Sequence, residues 1–228
     1  LRLSLFYATY FGMVGIMLPF FPVWLLSKGV SAAEIGLILG SATFARIIFN
    51  PIIGQIADLY GTRQPIIFIL AVLSSLCFSS YFIVDGFWII ILVTIIFNGF
   101  WSGMQPLAES LTMLSLKQVK IDYGRVRLWG SIAFILTALI AGKIIGIKTD
   151  HLILILIFLF TNLMVVVTLF LPKVKTKISI ISQYPLSQLF RNYGLIIVIF
   201  SAALIQSSHA LYYSFGSIHW KTLGFSST

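Results

Sequence analysis

The stretch Phe87–Leu114, FWIIILVTIIFNGFWSGMQPLAESLTML, decides the class of fold. It holds one charged residue, Glu109, in a run that is otherwise uncharged. A hydrocarbon core about 30 Å thick is crossed by about 20 residues of α-helix, so this run is long enough to span a bilayer. Hydrophobic residues make up 59% of the whole chain and charged residues 9%, against about 25% charged in a soluble domain. The sequence therefore predicts an all-α membrane protein.

Six further apolar runs of similar length flank this one. Lipid cannot satisfy exposed backbone groups, so continuous apolar runs predict helices. A membrane β-barrel would instead show shorter segments that alternate between apolar and polar residues. The sequence thus predicts about seven transmembrane helices, and the other six run over Leu3–Leu26, Ile35–Ala57, Ile66–Val84, Leu128–Ile147, Leu152–Leu171 and Leu195–Ser217.

The formal net charge of +9 comes from Lys and Arg that lie mostly between the apolar runs. They form no single basic face with interleaved aromatic residues, so we expect no nucleic-acid partner. Basic residues are enriched in cytoplasmic loops. Most of the basic residues fall on the side of the membrane that also holds the N-terminus, so we expect this side to be cytoplasmic and the protein to lie in the cell (inner) membrane. The basic residues on this side are Arg2, Arg63, Lys117, Lys120, Arg125, Arg127, Lys173, Lys175, Lys177 and Arg191.

The longest connection between apolar runs predicts the domain organisation. Residues 1–172 are expected to form a six-helix bundle, 173–192 a basic cytoplasmic linker, and 193–228 the first helix of an incomplete second bundle. The chain starts at Leu1 rather than Met, and its last residues resemble the short Gly/Ser connection between the first two runs. Both features favour a fragment of a longer protein.

Charged residues inside the apolar runs are the first candidates for a functional site. A charge near the bilayer centre costs about 3 kcal/mol or more and normally faces a cavity. Glu109 could bind solute hydroxyls or a cation, carry a proton, or form a structural ion pair with Arg127, whose planar guanidinium suits carboxylates. Arg46 could bind an anionic group or pair with Glu109, or it could serve structure alone.

Small and aromatic residues recur in the first and fourth runs. Gly and Pro at corresponding places in two three-helix repeats indicate a transport site, although both residues are frequent in membrane helices. The first run carries Gly12, Gly15 and Pro19, and the fourth carries Gly99, Gly103 and Pro106. Most aromatic residues suit an interfacial belt, but Phe97, Phe100, Trp101 and Phe134 could also line a cavity for a ring-bearing solute.

Motifs for catalysis or metal binding are missing from the sequence. There is one cysteine, Cys77, and the three histidines lack the spacing of metal ligands. No phosphate-binding loop and no nucleophile with a neighbouring base can be found. We therefore expect neither an enzyme nor a cofactor or metal.

Several segments resemble the major facilitator superfamily. Gly54-Gln-Ile-Ala-Asp58-Leu-Tyr-Gly61-Thr-Arg63 is similar to the signature loop between helices two and three of its permeases. Three more segments resemble the lactose permease and phenylpropionate permease branch: Leu18-Pro-Phe-Phe-Pro-Val-Trp-Leu25, Pro106-Leu-Ala-Glu109 and Tyr123-Gly-Arg-Val-Arg-Leu-Trp-Gly-Ser131. The resemblance implies a major facilitator-type bundle with seven of twelve helices present, so that a C-terminal bundle would be the missing partner.

The resemblance also implies roles for individual residues. Glu109 and Arg127 match the helix-four carboxylate and helix-five arginine that bind substrate, and Phe134 stands where the branch stacks a Trp on a sugar. The loop residues Gly54, Asp58, Gly61 and Arg63 match the conformational-switch motif.

The implied function is symport: proton-coupled uptake of a sugar, nucleoside or aromatic acid by alternating access. The proton is the coupling ion, and the proton-site residues would lie on later helices. A proton-driven exporter of drugs or metabolites, or a non-transporting membrane scaffold, are the alternatives.

Overall fold

The computed structural model describes residues 1–116, 122–145, 151–174 and 191–224. Seven helical segments in these ranges are long and apolar enough to cross a bilayer, the third of them over Gln64–Phe82. They confirm the predicted all-α membrane fold. The helices are α1 (Arg2–Ser27), α2 (Ala32–Tyr60), α3 (Gln64–Ser79), α4 (Phe87–Leu116), α5 (Tyr123–Ile145), α6 (His151–Leu169) and α7 (Tyr193–Thr222). Most of the predicted linker lies outside the described residues.

Local capping extends α2 beyond the apolar run. The Ser31 side chain accepts a hydrogen bond from the backbone N–H of Glu34, and the Glu34 carboxylate accepts one from the backbone N–H of Ser31. This capping box satisfies backbone donors that would otherwise lack partners, so the helix begins before the predicted Ile35. At the other end, Gly61 adopts the left-handed conformation with φ 64° and ends the helix.

The first six helices pack as two interlocked repeats. The first repeat is α1, α2 and α3, and the second is α4, α5 and α6. Helix α1 packs on α5 and α6 of the second repeat, whereas α4 packs on α2 and α3 of the first. If α1, α2 and α3 exchange places with α4, α5 and α6, the contacts of α1 become those of α4. This symmetry agrees with the repeat that the glycines and prolines predicted.

Glycines bring the repeats into close contact. A Cβ atom added at Gly15 of α1 would lie 2.5 Å from the backbone oxygen of Phe134 on α5. One added at Gly103 of α4 would lie 2.5 Å from the Cδ1 atom of Ile53 on α2. Gly12 and Gly99 meet phenylalanine rings in the same way. Close helix packing accounts for these four glycines.

An ion pair lies at each end of the bundle. At one end, the Lys28 ammonium lies 2.6 Å from the Asp85 carboxylate and joins the α1–α2 connection to the α3–α4 connection. At the other end, the Arg63 guanidinium lies 3.2 Å from the Asp58 carboxylate. We call these the Lys28 end and the Arg63 end.

Candidate functional site

A buried tyrosine of α1 lies within electrostatic range of charged side chains from three other helices. Tyr10 is 5% exposed, and its ring stacks on Trp101 with centroids 4.9 Å apart. Its hydroxyl interacts electrostatically with Arg46 of α2, Glu109 of α4 and Arg127 of α5. The fold therefore brings together the three charged residues that the sequence singled out.

Arg46 is held by an amide rather than by a carboxylate. Its Nη2 atom donates a 2.8 Å hydrogen bond to Oδ1 of Asn98 on α4. The Nδ2 atom of Asn98 donates in turn to the backbone oxygen of Thr94 at 3.0 Å. Asn98 is 1% exposed, whereas Arg46 lies on an exposed face of α2. The guanidinium thus keeps most of its five donors for other partners.

Glu109 and Arg127 are not bonded to each other. Glu109 accepts a 3.2 Å hydrogen bond from Nε2 of Gln105, one turn earlier on α4. The Arg127 guanidinium lies over two rings of α1, 4.2 Å from the centroid of Phe11 and 5.6 Å from that of Tyr7. These are cation–π contacts, which hold a cation without neutralising it. The ion pair considered from the sequence is therefore absent between these two described residues.

The aromatic candidates divide between the core and the bundle face. Phe97 is fully buried and Trp101 is 3% exposed, and their rings stack at 5.9 Å. Both pack in the core of the bundle, Trp101 against Tyr10, and their lining of a solute cavity stays a prediction. Phe134 is half-buried, and its backbone oxygen packs against Gly15 and accepts from the Thr137 hydroxyl. It lies at the contact between α5 and α1, two turns beyond Arg127.

Three of the four signature-loop residues, Gly54, Asp58 and Arg63, border a cavity of about 240 Å³ between α2 and α4 at the Arg63 end. A Cβ atom added at Gly54 would meet no other heavy atom within 4 Å, so this glycine leaves open space beside the cavity. The Arg63 and Asp58 side chains pair across its rim. The cavity is lined by Asn50, Gly54, Asp58, Arg63, Gly103, Pro106, Leu107 and Ser110.

Sequence reasoning missed the neutral polar partners of these charges. Asn98 and Gln105 stand in the apolar run that also holds Glu109. Arg46 bonds Asn98, and Asn50 accepts from the Ser102 hydroxyl at 2.8 Å, both with a separation of 52 residues. The sequence signal was a pair of polar residues spaced four apart on each of two helices that run in the same direction. The pairs are Arg46 and Asn50 on α2, and Asn98 and Ser102 on α4. In the described part of the chain, no group of three or more His, Cys, Asp or Glu could hold a metal.

The comparisons with known proteins agree with this architecture. The family described as MFS_1 like family matches residues 1–228. The probable 3-phenylpropionic acid transporter of Escherichia coli K12 is 32% identical over 99% of this chain and 60% of its own length. The lactose permease of Citrobacter freundii is 26% identical over 60% of this chain and 35% of its own length.

A solved structure shares the fold. The crystal structure of the nucleoside transporter NupG, as its D323A mutant, superposes with a TM-score of 0.82 at 18% identity. The match covers 94% of this chain and 56% of the NupG chain. The chain therefore spans three-fifths or less of the length of these relatives. The predicted resemblance is confirmed: the chain belongs to the MFS_1-like family of multi-pass membrane transporters and not to a family of enzymes.

Proposed function

We propose that the full-length protein containing this chain imports a small aromatic carboxylic acid together with protons, by alternating access. The observation that carries the proposal is that Arg46, Glu109 and Arg127, from three helices, all lie within electrostatic range of the Tyr10 hydroxyl. Charges at such depth are costly unless they face a cavity or a partner. Three of them, from three helices and within electrostatic range of one tyrosine, are therefore expected to serve a solute.

The balance of charge favours an anion. Two guanidinium groups and one carboxylate lie within electrostatic range of Tyr10, so this set of groups carries one excess positive charge when all three are ionised. The planar guanidinium fork suits a carboxylate. The rings of Phe11 and Tyr7 beneath Arg127 supply an apolar wall beside it. A carboxylate attached to an aromatic ring matches both features.

The relatives support the same solute class. The 32% identical protein is named for 3-phenylpropionic acid, a ring joined to a carboxylate by a short chain. Sugar is the second candidate, because Glu109 is a hydrogen-bond acceptor suited to hydroxyls. Maltose and melibiose permeases are also among the relatives.

The proposed orientation places the Arg63 end in the cytoplasm and the N-terminus with it, in the inner membrane of the cell. Basic residues are enriched at that end, as expected of cytoplasmic loops. The cluster around Tyr10 would form one half of the solute site. A second bundle would supply the other half, together with groups that couple the proton.

The proposed conformational switch is the signature loop at that end. In this proposal, the Asp58–Arg63 pair and the left-handed turn at Gly61 hold the α2–α3 connection in one arrangement while the two bundles rock.

Uptake into proteoliposomes tests the function. The full-length protein should accumulate radiolabelled 3-phenylpropionate when the outside is acidic, and a protonophore should abolish the accumulation. Glu109→Gln and Arg127→Lys should each lower uptake at least tenfold, while Asp85→Asn at the Lys28 end serves as the matched control. Full uptake by both site variants would sink the assignment of the site, and efflux driven by the same gradient would favour an exporter.

A further inference from the structure

We infer that Asn98 is a positioning residue that fixes Arg46 without neutralising it, and that this neutral anchor makes the site select anionic solutes. The inference rests on the proposed transport function and deepens it by naming the group that sets charge selectivity. Asn98 itself is buried and needs no contact with the solute.

The geometry around Asn98 allows one orientation of its amide. The Nδ2 atom donates to the Thr94 backbone oxygen, so the Oδ1 atom faces α2, where Arg46 donates to it at 2.8 Å. The reversed amide would place a donor against the guanidinium and an acceptor against a carbonyl. The hydrogen bond to Thr94 within α4 therefore fixes the acceptor atom of Asn98 toward Arg46.

The neutrality of this anchor has a consequence for binding. A charged side chain inside a membrane span usually pairs with another charged side chain or with backbone carbonyls. No carboxylate of the described residues lies within 4.0 Å of Arg46. One of its five donors is engaged by Asn98, so the guanidinium presents its full charge and its remaining donors on the exposed face of α2. An anion can pair with it there without first displacing a protein carboxylate.

The next turn of the same two helices provides a matched control. Ser102 donates to Asn50 at 2.8 Å, with the same separation of 52 residues as the Arg46–Asn98 bond. This contact also joins α2 to α4 and is also neutral, but it holds no charged group. Ser102→Ala should therefore disturb the helix contact without changing charge selectivity.

The experiment compares an acid and its neutral analogue on the full-length protein in detergent. The probes are 3-phenylpropionate and 3-phenylpropionamide, which differ in charge at one end. Asn98→Asp changes one atom and supplies a carboxylate to Arg46. It should raise the Kd for the acid at least tenfold and change the Kd for the amide less than twofold. Asn98→Leu leaves Arg46 charged but removes its hydrogen-bond acceptor, so it should raise the Kd for the acid threefold to fivefold. Ser102→Ala should change both Kd values less than twofold.

A second readout needs no solute. Phenylglyoxal modifies arginine side chains, and peptide mass spectrometry can follow the reaction at Arg46. Pairing with a carboxylate should slow modification at least fivefold in Asn98→Asp, whereas Asn98→Leu should react as fast as the original protein or faster. If Asn98 served structure alone, both substitutions would change the rate of phenylglyoxal modification at Arg46 in the same direction. Size-exclusion profiles confirm that each variant is folded.

The outcomes separate this inference from the proposed function. Failure of the unaltered protein to bind or import either probe contradicts the proposed function, and the phenylglyoxal rates then still decide the role of Asn98. Binding of the acid with equal losses in Asn98→Asp and Ser102→Ala overturns the inference alone. Equal phenylglyoxal rates in Asn98→Asp and Asn98→Leu overturn it as well.

Discussion

Two helix contacts in this bundle are equivalent in the repeat but differ in chemistry. The contact of α2 with α4, which we call the polar seam, contains the hydrogen bonds Arg46–Asn98 and Asn50–Ser102. The contact of α1 with α5, the aromatic seam, contains the Arg127 guanidinium over the Phe11 and Tyr7 rings. Exchange of the two three-helix repeats maps one seam onto the other.

The comparison separates what the fold requires from what the site requires. Both seams have a glycine beneath a phenylalanine ring: Gly99 meets Phe49 in the polar seam, and Gly130 meets Phe11 in the aromatic seam. This shared feature lets the helices approach closely. The arginines differ in partner, an amide in one seam and an aromatic face in the other. Both partners are neutral, so each seam holds a cation and leaves its charge available.

The largest expected effect comes from a second pair of glycines, Gly15 in the aromatic seam and Gly103 in the polar seam. Gly15→Ala places a methyl group 2.5 Å from the backbone oxygen of Phe134 and 2.5 Å from the Thr137 hydroxyl. A backbone atom cannot move aside without shifting α5, so we expect a loss of about 3 kcal/mol in the free energy of unfolding. Gly103→Ala meets the end of the flexible Ile53 side chain, and about 1 kcal/mol is expected.

Titration with SDS, followed by tryptophan fluorescence of the purified protein, measures both losses. The two variants add the same methyl group at the same nominal distance, so each is the control for the other. Equal losses would show that the seams tolerate overpacking alike and that backbone contact is not the distinguishing feature.

The second prediction isolates the cation in the aromatic seam. Phe11 covers Gly130 and lies 4.2 Å from the Arg127 guanidinium, whereas Phe49 covers Gly99 and meets the ring of Phe100 edge-on. Each Phe→Leu change removes a half-buried ring above a glycine. Phe11→Leu should cost about 1 kcal/mol more than Phe49→Leu, because only it loses a cation–π contact of roughly that size.

The same SDS titration checks this difference. Arg127→Met completes the test, because it should cost less in the Phe11→Leu background, where only the contact with Tyr7 remains, than in the unaltered protein. Equal costs for the two leucine variants would mean that Arg127 draws no stability from the ring.

The helices themselves were largely predictable from the sequence. Continuous apolar runs can only be helices in lipid, so each predicted run corresponds to an observed helix. The ends were less predictable, because they depend on local polar chemistry. The capping box of Ser31 and Glu34 extends α2, and α3 ends at Ser79 before a 3-10 turn over Ser80–Phe82, short of the predicted Val84.

The charged residues of the site were predictable, but their partners were not. Arg46, Glu109 and Arg127 stood out because a charge in an apolar run is costly. Their neighbours depend on the register between helices, which one sequence does not specify. In the sequence, Asn98 is indistinguishable from an ordinary polar helix residue. Its role becomes visible only when α2 and α4 are packed so that residues 52 apart in the sequence face each other. Trp101 was one of the aromatic residues that could line a cavity or form an interfacial belt, and only the structure shows that Tyr10 of another helix stacks on it.

The smallest expected effect lies outside both seams, in the ion pair of the Lys28 end. Lys28 and Asp85 are 2.6 Å apart, but the Asp85 side chain is 78% exposed, so water and salt screen their attraction. Asp85→Asn should lower the free energy of unfolding by about 0.5 kcal/mol at low ionic strength. In 0.5 M salt the difference should shrink toward zero, while the cost of Gly15→Ala should not change, since steric contact is insensitive to ions. A loss above about 1.5 kcal/mol that persists in salt would mean that this loop contact, and not the two seams, holds the repeats together.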